Sequence, residues 1–385
     1  MLYARQRRSW ESCKAMDWES LHRRMTGGQA GPWWLSGLRW FASGLSWLYG
    51  LGANAKNLSY DLGLSKPRRL PAPMIGVGNL AVGGTGKTPL VMALVQALQR
   101  LGLPSAIVSR GYGGVGATAT KGVTWVSRGG GALLGADVAG DEPLLLARRL
   151  AVPVAVGPER YVVGRAVLDE LGPRVLVGDD LFQHRRLHRD LDIVCMDAAD
   201  PMAGGLLPRG RLREPMTGLR RAQAVVLTRA VDPEATAQTR AWLRSFWGGG
   251  PVLTSRHKIG GLIRHQGRDV SAGEMKGRPV LAFCGLARPD SFRSGLEEFG
   301  FQVLGLEAFP DHYPFGAADM ARLWQQAADM GAAALVCSEK DQVRLPGGLP
   351  PEMELWVTQL ELEFDQGPLA LEALLAWGLK RWEAR

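Results

Sequence analysis

The sequence predicts an α/β protein: a mostly parallel sheet with helices on both faces, and a second, smaller domain after it. Three observations predict this. Apolar stretches of strand length alternate with helical periodicity from Pro73 to Ala230. A glycine-rich loop joins the first such strand to the first such helix. A second alternation starts near Pro279, in a chain of 385 residues that has room for two domains.

Composition narrows the function classes. Hydrophobic residues make up 46% and charged residues 22%, as in a globular core and not a disordered chain. The four cysteines (Cys13, Cys195, Cys284, Cys337) form no C-x-x-C pair, which argues against a zinc site or disulfide framework and fits a reducing compartment. A net charge of +9 favours an anionic partner: nucleic acid, a phosphorylated substrate or an acidic membrane face. No stacked-aromatic RNA-binding signature or zinc-finger spacing is found, so nucleic acid is not expected. No obligate protein partner is inferred.

Residues 1–32 are polar and mixed in charge, carry no signal-peptide pattern and read as a disordered extension, or as an over-long start before Met16. Next comes "WWLSGLRWFASGLSWLYG", Trp33–Gly50, within a segment 33–52 expected as a Trp-rich helix. Trp34, Leu38, Phe41, Leu45 and Leu48 share one helical face, and Trp33, Trp40 and Trp47 recur every seven residues beside it. The run is short for a span, which takes about 20 apolar residues. Tryptophan density suits the headgroup level of a bilayer. Periodicity does not tell lipid from the protein's own core as the apolar partner.

"PMIGVGNL" (Pro73–Leu80) reads as a buried strand, and Thr88–Gly102 as a helix with Leu90, Val91, Leu94, Val95, Leu98 and Leu101 three and four apart. Between them lies "AVGGTGKT". It matches G-x-x-x-x-G-K-[ST] except that Ala81 takes the first glycine place. Gly83, Gly84, Thr85 and Gly86 offer backbone amides to phosphate oxygens, Lys87 reaches the terminal phosphates, and Thr88 presents a hydroxyl to Mg²⁺. The bland alternative is a glycine turn with a surface lysine. Strand, loop and helix in this order give a P-loop NTPase-like α/β fold with ATP and Mg²⁺ as cofactors.

Further strands are expected at Pro104–Ser109, Val152–Gly157, Arg174–Gly178, "LDIVCMDA" and "AQAVVLTRA", with a helix ending at Gly172. Asp179 and Asp180 follow "VLVG", where a P-loop protein carries its Mg²⁺-binding acid; a turn or cap is the alternative. Asp141, in "GDEP", reads locally as a helix cap. His312, in "FPDHYPF", is a surface partner of Asp311 or an acid–base element. Arg209, Arg211, Arg213, Arg220 and Arg221 form a basic stretch that meets an anion or only solvent.

The stretches "VGNLAVGGTGKTPLV", "SRGYGG", "GDEPLLLA", "DDLFQHRRLHRDLDIVCMDA", "LLPRGRLREP", "FCGLARPDSF", "FPDHYPF" and "CSEKDQVRL" together resemble the tetraacyldisaccharide 4'-kinase family. The resemblance covers residue 33 to the C-terminus. It implies transfer of the γ-phosphoryl group of ATP to the 4'-hydroxyl of a tetraacyl glucosamine disaccharide 1-phosphate, in lipid A biosynthesis. It also implies two α/β/α domains joined by a short β linker, and work at the cytoplasmic face of the inner membrane, reached through Trp33–Tyr49. By the same resemblance Asp141 is the catalytic acid–base residue, His312 its partner, and Asp179 and Asp180 the metal-associated pair. The family's P-loop also opens on a small non-glycine residue, as Ala81 does here. Two positions depart from the family pattern: Leu181 stands where glycine is usual, and Arg288 where asparagine is usual. The expected division is an extension (1–32), the Trp-rich helix (33–52), a P-loop kinase domain (53–250), a linker (251–277) and a C-terminal α/β domain (278–385). Two rivals share the cradle: a P-loop regulatory or transport ATPase, and a kinase of a small soluble metabolite.

Overall fold

The computed structural model describes residues 33–111, 114, 122–265, 269–270, 277–350 and 352–383. The extension 1–32 and the side chains of Trp33 and Trp34 lie outside the described residues.

The first element, α1 (Trp33–Asp61), is a 29-residue helix, about three turns longer than the apolar run predicts. The continuation is "ANAKNLSYD", which is polar but free of proline. The chain then enters β1 (Met74–Asn79), α2 (Lys87–Arg100) and β2 (Ser105–Ser109). β3 (Thr124–Arg128) and the short α3 (Ala136–Ala139) lead to α4 (Asp141–Arg149). After these come β4 (Pro153–Val156), α5 (Arg160–Leu171), β5 (Val175–Gly178), β6 (Leu191–Asp197), β7 (Ala224–Thr228) and α6 (Pro233–Phe246). The second half comprises β8 (Val252–Arg264), β9 (Asp269–Val270), β10 (Pro279–Cys284), α7 (Pro289–Phe299), β11 (Gln302–Ala308), α8 (Ala317–Asp329), β12 (Ala334–Ser338), α9 (Glu339–Gln342), β13 (Leu355–Phe364) and α10 (Ala370–Glu383).

One sheet carries all these strands, in the order β11-β10-β12-β13-β8-β7-β6-β1-β5-β2-β4-β3, with β9 beside β8. Pairing is parallel on both sides of β1 and from β11 through β13. The antiparallel pairs are β3 with β4, β13 with β8, and β9 with β8. β8 lies in the stretch expected as a linker. Its first residues extend the parallel sheet beside β7, and the rest run antiparallel to β13.

Burial follows from this topology. Every residue of β1, β2, β5, β6 and β7 is buried, because helices or loops cover both faces of a parallel sheet. On one face α2 and α4 pack with α10 through Leu90, Leu94, Leu144, Leu146, Leu371 and Leu375. On the other, Phe182, Leu212 and Leu219 close over β6 and β7. A parallel sheet places its loops at the carboxyl ends of its strands; the glycine loop follows β1 and Asp179 and Asp180 follow β5, while Asp141 begins α4 and His312 follows β11.

Candidate active site

The loop after β1 is fastened at several points. Gly83 (φ 105°) and Gly86 (φ 87°) hold left-handed backbone conformations that glycine adopts without strain. Asn79 donates to the Thr85 hydroxyl at 2.8 Å, and Thr228 donates to the Thr85 carbonyl at 2.8 Å. Ala81 instead forms an antiparallel bridge with Leu212, and its φ is not among the positive ones. The first place of the motif is therefore extended backbone, where a side chain costs nothing. The amino end of α2 opens onto the loop, with Lys87 largely buried and Thr88 in the first turn. Arg229, itself at φ 56°, donates to the Gly84 carbonyl.

The two aspartates after β5 have opposite environments. Asp179 is buried, and both of its carboxylate oxygens lack a hydrogen-bond partner among the described residues. Burial, with the negative charge of Glu142 nearby, pushes its pKa up to about 8. Asp180, the next residue, holds a positive φ of 53°. Arg213 Nη1 donates to both Asp180 oxygens, at 2.9 and 2.8 Å, and Lys87 Nζ lies 3.6 Å off. Burial works against ionisation of Asp180, but Lys87 and Arg213 outweigh it and hold the pKa below the usual carboxylate range. A buried carboxyl with unsatisfied oxygens suits a divalent cation, whose charge would favour the ionised form that burial opposes; Asp180 is already neutralised by two side chains.

Leu181 does not crowd this turn. It is fully buried against Gly178 and Met74, and a Cβ on Gly178 would meet Leu181 Cδ1 at 2.0 Å. The glycine inside the expected strand "VLVG" thus makes room for the leucine after it. Arg288, the second departure, donates to Asp197 at 2.8 Å, beside Arg229 on the same carboxylate at 3.0 Å. Three members of the basic stretch face carboxylates: Arg211 meets Asp200, Arg213 meets Asp180, and Arg221 meets Glu214. Arg209 and Arg220 are exposed.

Asp141 begins α4. A Cβ on Gly114 would sit 2.6 Å from the Gly140 amide, so Gly114, the last residue of "SRGYGG", reaches the backbone just before Asp141 only because it is glycine. The N-cap position is Gly140, so Asp141 is the first residue of the helix and not its cap. Its Oδ2 lies 3.0 Å from Nδ1 of His312, which arrives from the loop after β11 with φ 65°. The local reading of a capping Asp and a surface His is therefore replaced by a pair 171 residues apart in sequence. Arg344, a residue that sequence reasoning missed, donates to the same Oδ2 from the end of α9, through Nε at 2.9 Å and through Nη2. Its only signal in the sequence is its place at the end of "CSEKDQVRL". Burial raises the Asp141 pKa, but hydrogen bonds from His312 and Arg344 outweigh it and bring it down to about 2.

Asp180, Arg229 and His312 are all non-glycine residues at positive φ. Backbone strain of this kind concentrates at working sites. A glycine loop at a helix start, a buried carboxyl with open oxygens and a carboxylate–imidazole pair are the parts that phosphoryl transfer calls for.

Comparison with known proteins agrees. The profile of the family described as Tetraacyldisaccharide-1-P 4'-kinase matches residues 38–377. A tetraacyldisaccharide 4'-kinase of Anaeromyxobacter dehalogenans is 45% identical over 324 residues, 82% of this chain and 84% of that protein. The Chlorobaculum tepidum protein of the same name is 38% identical over 347 residues, 87% of this chain and 96% of its own length. A crystal structure of LpxK from Aquifex aeolicus in complex with ATP superposes with a TM-score of 0.70 at 34% identity, covering 88% of this chain and 96% of that one. The chain belongs to the tetraacyldisaccharide-1-P 4'-kinase family.

Proposed function

We propose that this kinase transfers the γ-phosphoryl group of ATP to the 4'-hydroxyl of a tetraacyl glucosamine disaccharide 1-phosphate, a step of lipid A biosynthesis. The observation that carries the catalytic reading is the Asp141–His312 pair, which joins the two halves of the chain at 3.0 Å.

The loop amides of Gly83–Gly86, the positive end of α2 and Lys87 bind and orient the triphosphate. Asp179, with Thr88, is the pair best suited to hold Mg²⁺; Asp180 acts beside them by holding Lys87 in place. When bound, the ion neutralises charge on the β- and γ-phosphates. Among the described residues no cluster of three or more protein ligands forms, which fits an ion held by one or two side chains, phosphates and water. The acceptor's 4'-oxygen attacks the γ-phosphorus, the bond to the β–γ bridging oxygen breaks, ADP leaves, and the hydroxyl proton passes to Asp141. A carboxylate with a pKa of about 2 is a weak base. That suffices where the transition state is loose and the proton moves late. His312 orients the carboxylate.

The division at 53–250, 251–277 and 278–385 is proposed on the same footing. It is supported by β8, which leaves the β7 side of the sheet to pair with β13. Membrane contact through α1 is proposed from its exposed Trp40, Phe41, Trp47 and Leu48. Among the described residues no helix is long and apolar enough to cross a membrane; the proposed place of α1 is the interface at the inner membrane's cytoplasmic face, where the lipid acceptor would be met.

The test is label transfer from γ-labelled ATP to the lipid acceptor. Asp141→Ala is expected to lose turnover by about 10²-fold or more while ATP still binds. Near-normal turnover removes Asp141 from the role. ATP hydrolysis that ignores the lipid returns the regulatory-ATPase reading.

A further inference from the structure

Two side chains from the far half of the molecule hold Asp141, and only His312 has been given a task. Arg344 is the more buried of the two, its side chain 7% exposed against 53% for His312. Every described hydrogen bond to the Asp141 carboxylate ends on Oδ2. Oδ1 is left for a substrate. Arg344 Nη1 is buried without a hydrogen-bond partner among the described residues, so one donor of the guanidinium is open beside the carboxylate.

The charges around Asp141 leave Arg344 to act on it. From the loop after β11 come Asp311 and His312, and from α9 and its end come Lys340, Asp341 and Arg344. Lys340 takes Asp311 at 2.8 Å. The Gly285 amide and the Ser338 hydroxyl occupy Asp341, at 2.9 and 2.6 Å. On α4 itself Glu142 follows, and Arg149 in the last turn meets Glu339 at 3.3 Å. Arg344 and His312 remain as the groups that bind the Asp141 carboxylate. A guanidinium keeps its charge across the working pH range.

We propose that Arg344 is a positioning residue for the transfer: it pins Oδ2 of Asp141, leaves Oδ1 to the acceptor hydroxyl, and sets a permanent positive charge beside the carboxylate. The inference rests on the reading of Asp141 as the base. Because Arg344 follows α9 while Asp141 begins α4, the base is correctly held only when the two halves of the chain are docked. Arg344 and His312 then divide the work. The first fixes charge and direction, and the second meets Oδ2 from the loop after β11, with its Nδ1 also against Arg344 Nη2.

The experiment is the pH profile of label transfer to the detergent-solubilised lipid for the wild type, Arg344→Gln, Arg344→Lys, Arg149→Gln and Asp141→Asn. Arg344→Gln is expected to lower kcat by about 10- to 100-fold with the KM for ATP little changed. Without the guanidinium only His312 still opposes burial at the Asp141 carboxyl, so the acid limb is expected to move up in pH from its wild-type position. Arg344→Lys keeps the charge and is expected to recover part of kcat and to move the limb back down. Arg149→Gln removes the neighbouring cross-half ion pair without touching Asp141, and is expected to leave the wild-type profile shape. A wild-type profile for Arg344→Gln overturns the inference, as does the same loss and limb in Arg149→Gln. Active Asp141→Asn removes the base reading and this inference with it. An inactive Asp141→Asn beside an unchanged Arg344→Gln removes this inference alone.

Discussion

The helices at the two ends of the described chain, α1 and α10, are both rich in leucine and tryptophan, and they pack in opposite ways. α10 turns Leu371, Leu374 and Leu375 into the core beneath α2, and Arg100 fixes its first turn through Glu372 at 2.6 Å. α1 meets the protein through its small and polar positions, with Ala42, Ser46 and Gly50 buried and Ala53 and Asn57 half-buried. Its large residues face outward, with Trp40 80% and Trp47 67% exposed. The apolar stripe that periodicity identifies in α1 is thus not a core stripe. Large apolar side chains at helical spacing show that a helix has an apolar partner; the small residues on the opposite face show whether the protein fills that place.

The comparison breaks most sharply at Leu375 and Trp47. Leu375 is fully buried, so Leu375→Ala is expected to cost about 3 kcal/mol, read as a lower denaturant midpoint. Trp47→Ser is expected to leave that midpoint within about 0.5 kcal/mol, as surface changes do. It should instead lower binding to anionic lipid vesicles by roughly tenfold, measured by co-sedimentation. A destabilised Trp47→Ser with unchanged vesicle binding would make α1 an ordinary core helix after all.

The same contrast explains what was legible in the sequence. The cradle from Gly83 to Thr88 is local: a strand, a glycine turn and a helix, continuous from Met74 to Arg100, dictate it, and the sequence pattern shows all three. Leu181 shows where local reading falls short. Its neighbour Gly178 is three residues away, yet only the folded turn shows that one vacates the space the other fills. The rest of the site is non-local. Arg344 lies 203 residues from Asp141, and Arg213 lies 33 from Asp180. Periodicity carries no trace of either pairing. The Asp141–His312 contact was reached only through resemblance, since the residues alone read as a cap and a loop. The edge strand β3 escaped because Thr124–Arg128 is short and only partly buried.

The smallest effect expected comes from the other face of the same turn of α1. Ser46 is next to Trp47 but points inward, donating to Leu206 at 3.0 Å and accepting from the Arg209 amide at 3.0 Å. One turn further on, Tyr49 donates to the Arg213 carbonyl at 2.7 Å, and Asn57 donates to Glu214 at 2.9 Å. These bonds bind α1 to the segment whose Arg213 neutralises Asp180 and so supports Lys87. Ser46→Ala keeps the size of the seam but leaves the Arg209 amide unpaired, so a loss of about 1 kcal/mol in stability is expected. Vesicle binding should not change, because the outward face is untouched. The KM for ATP should rise by at most about twofold, since Tyr49 and Asn57 still hold the segment. Adjacent residues would then give opposite phenotypes, one in folding and one in lipid binding. If Ser46→Ala lost vesicle binding as well, the two faces of α1 would not be separable, and its seam on the protein would be part of what the bilayer holds.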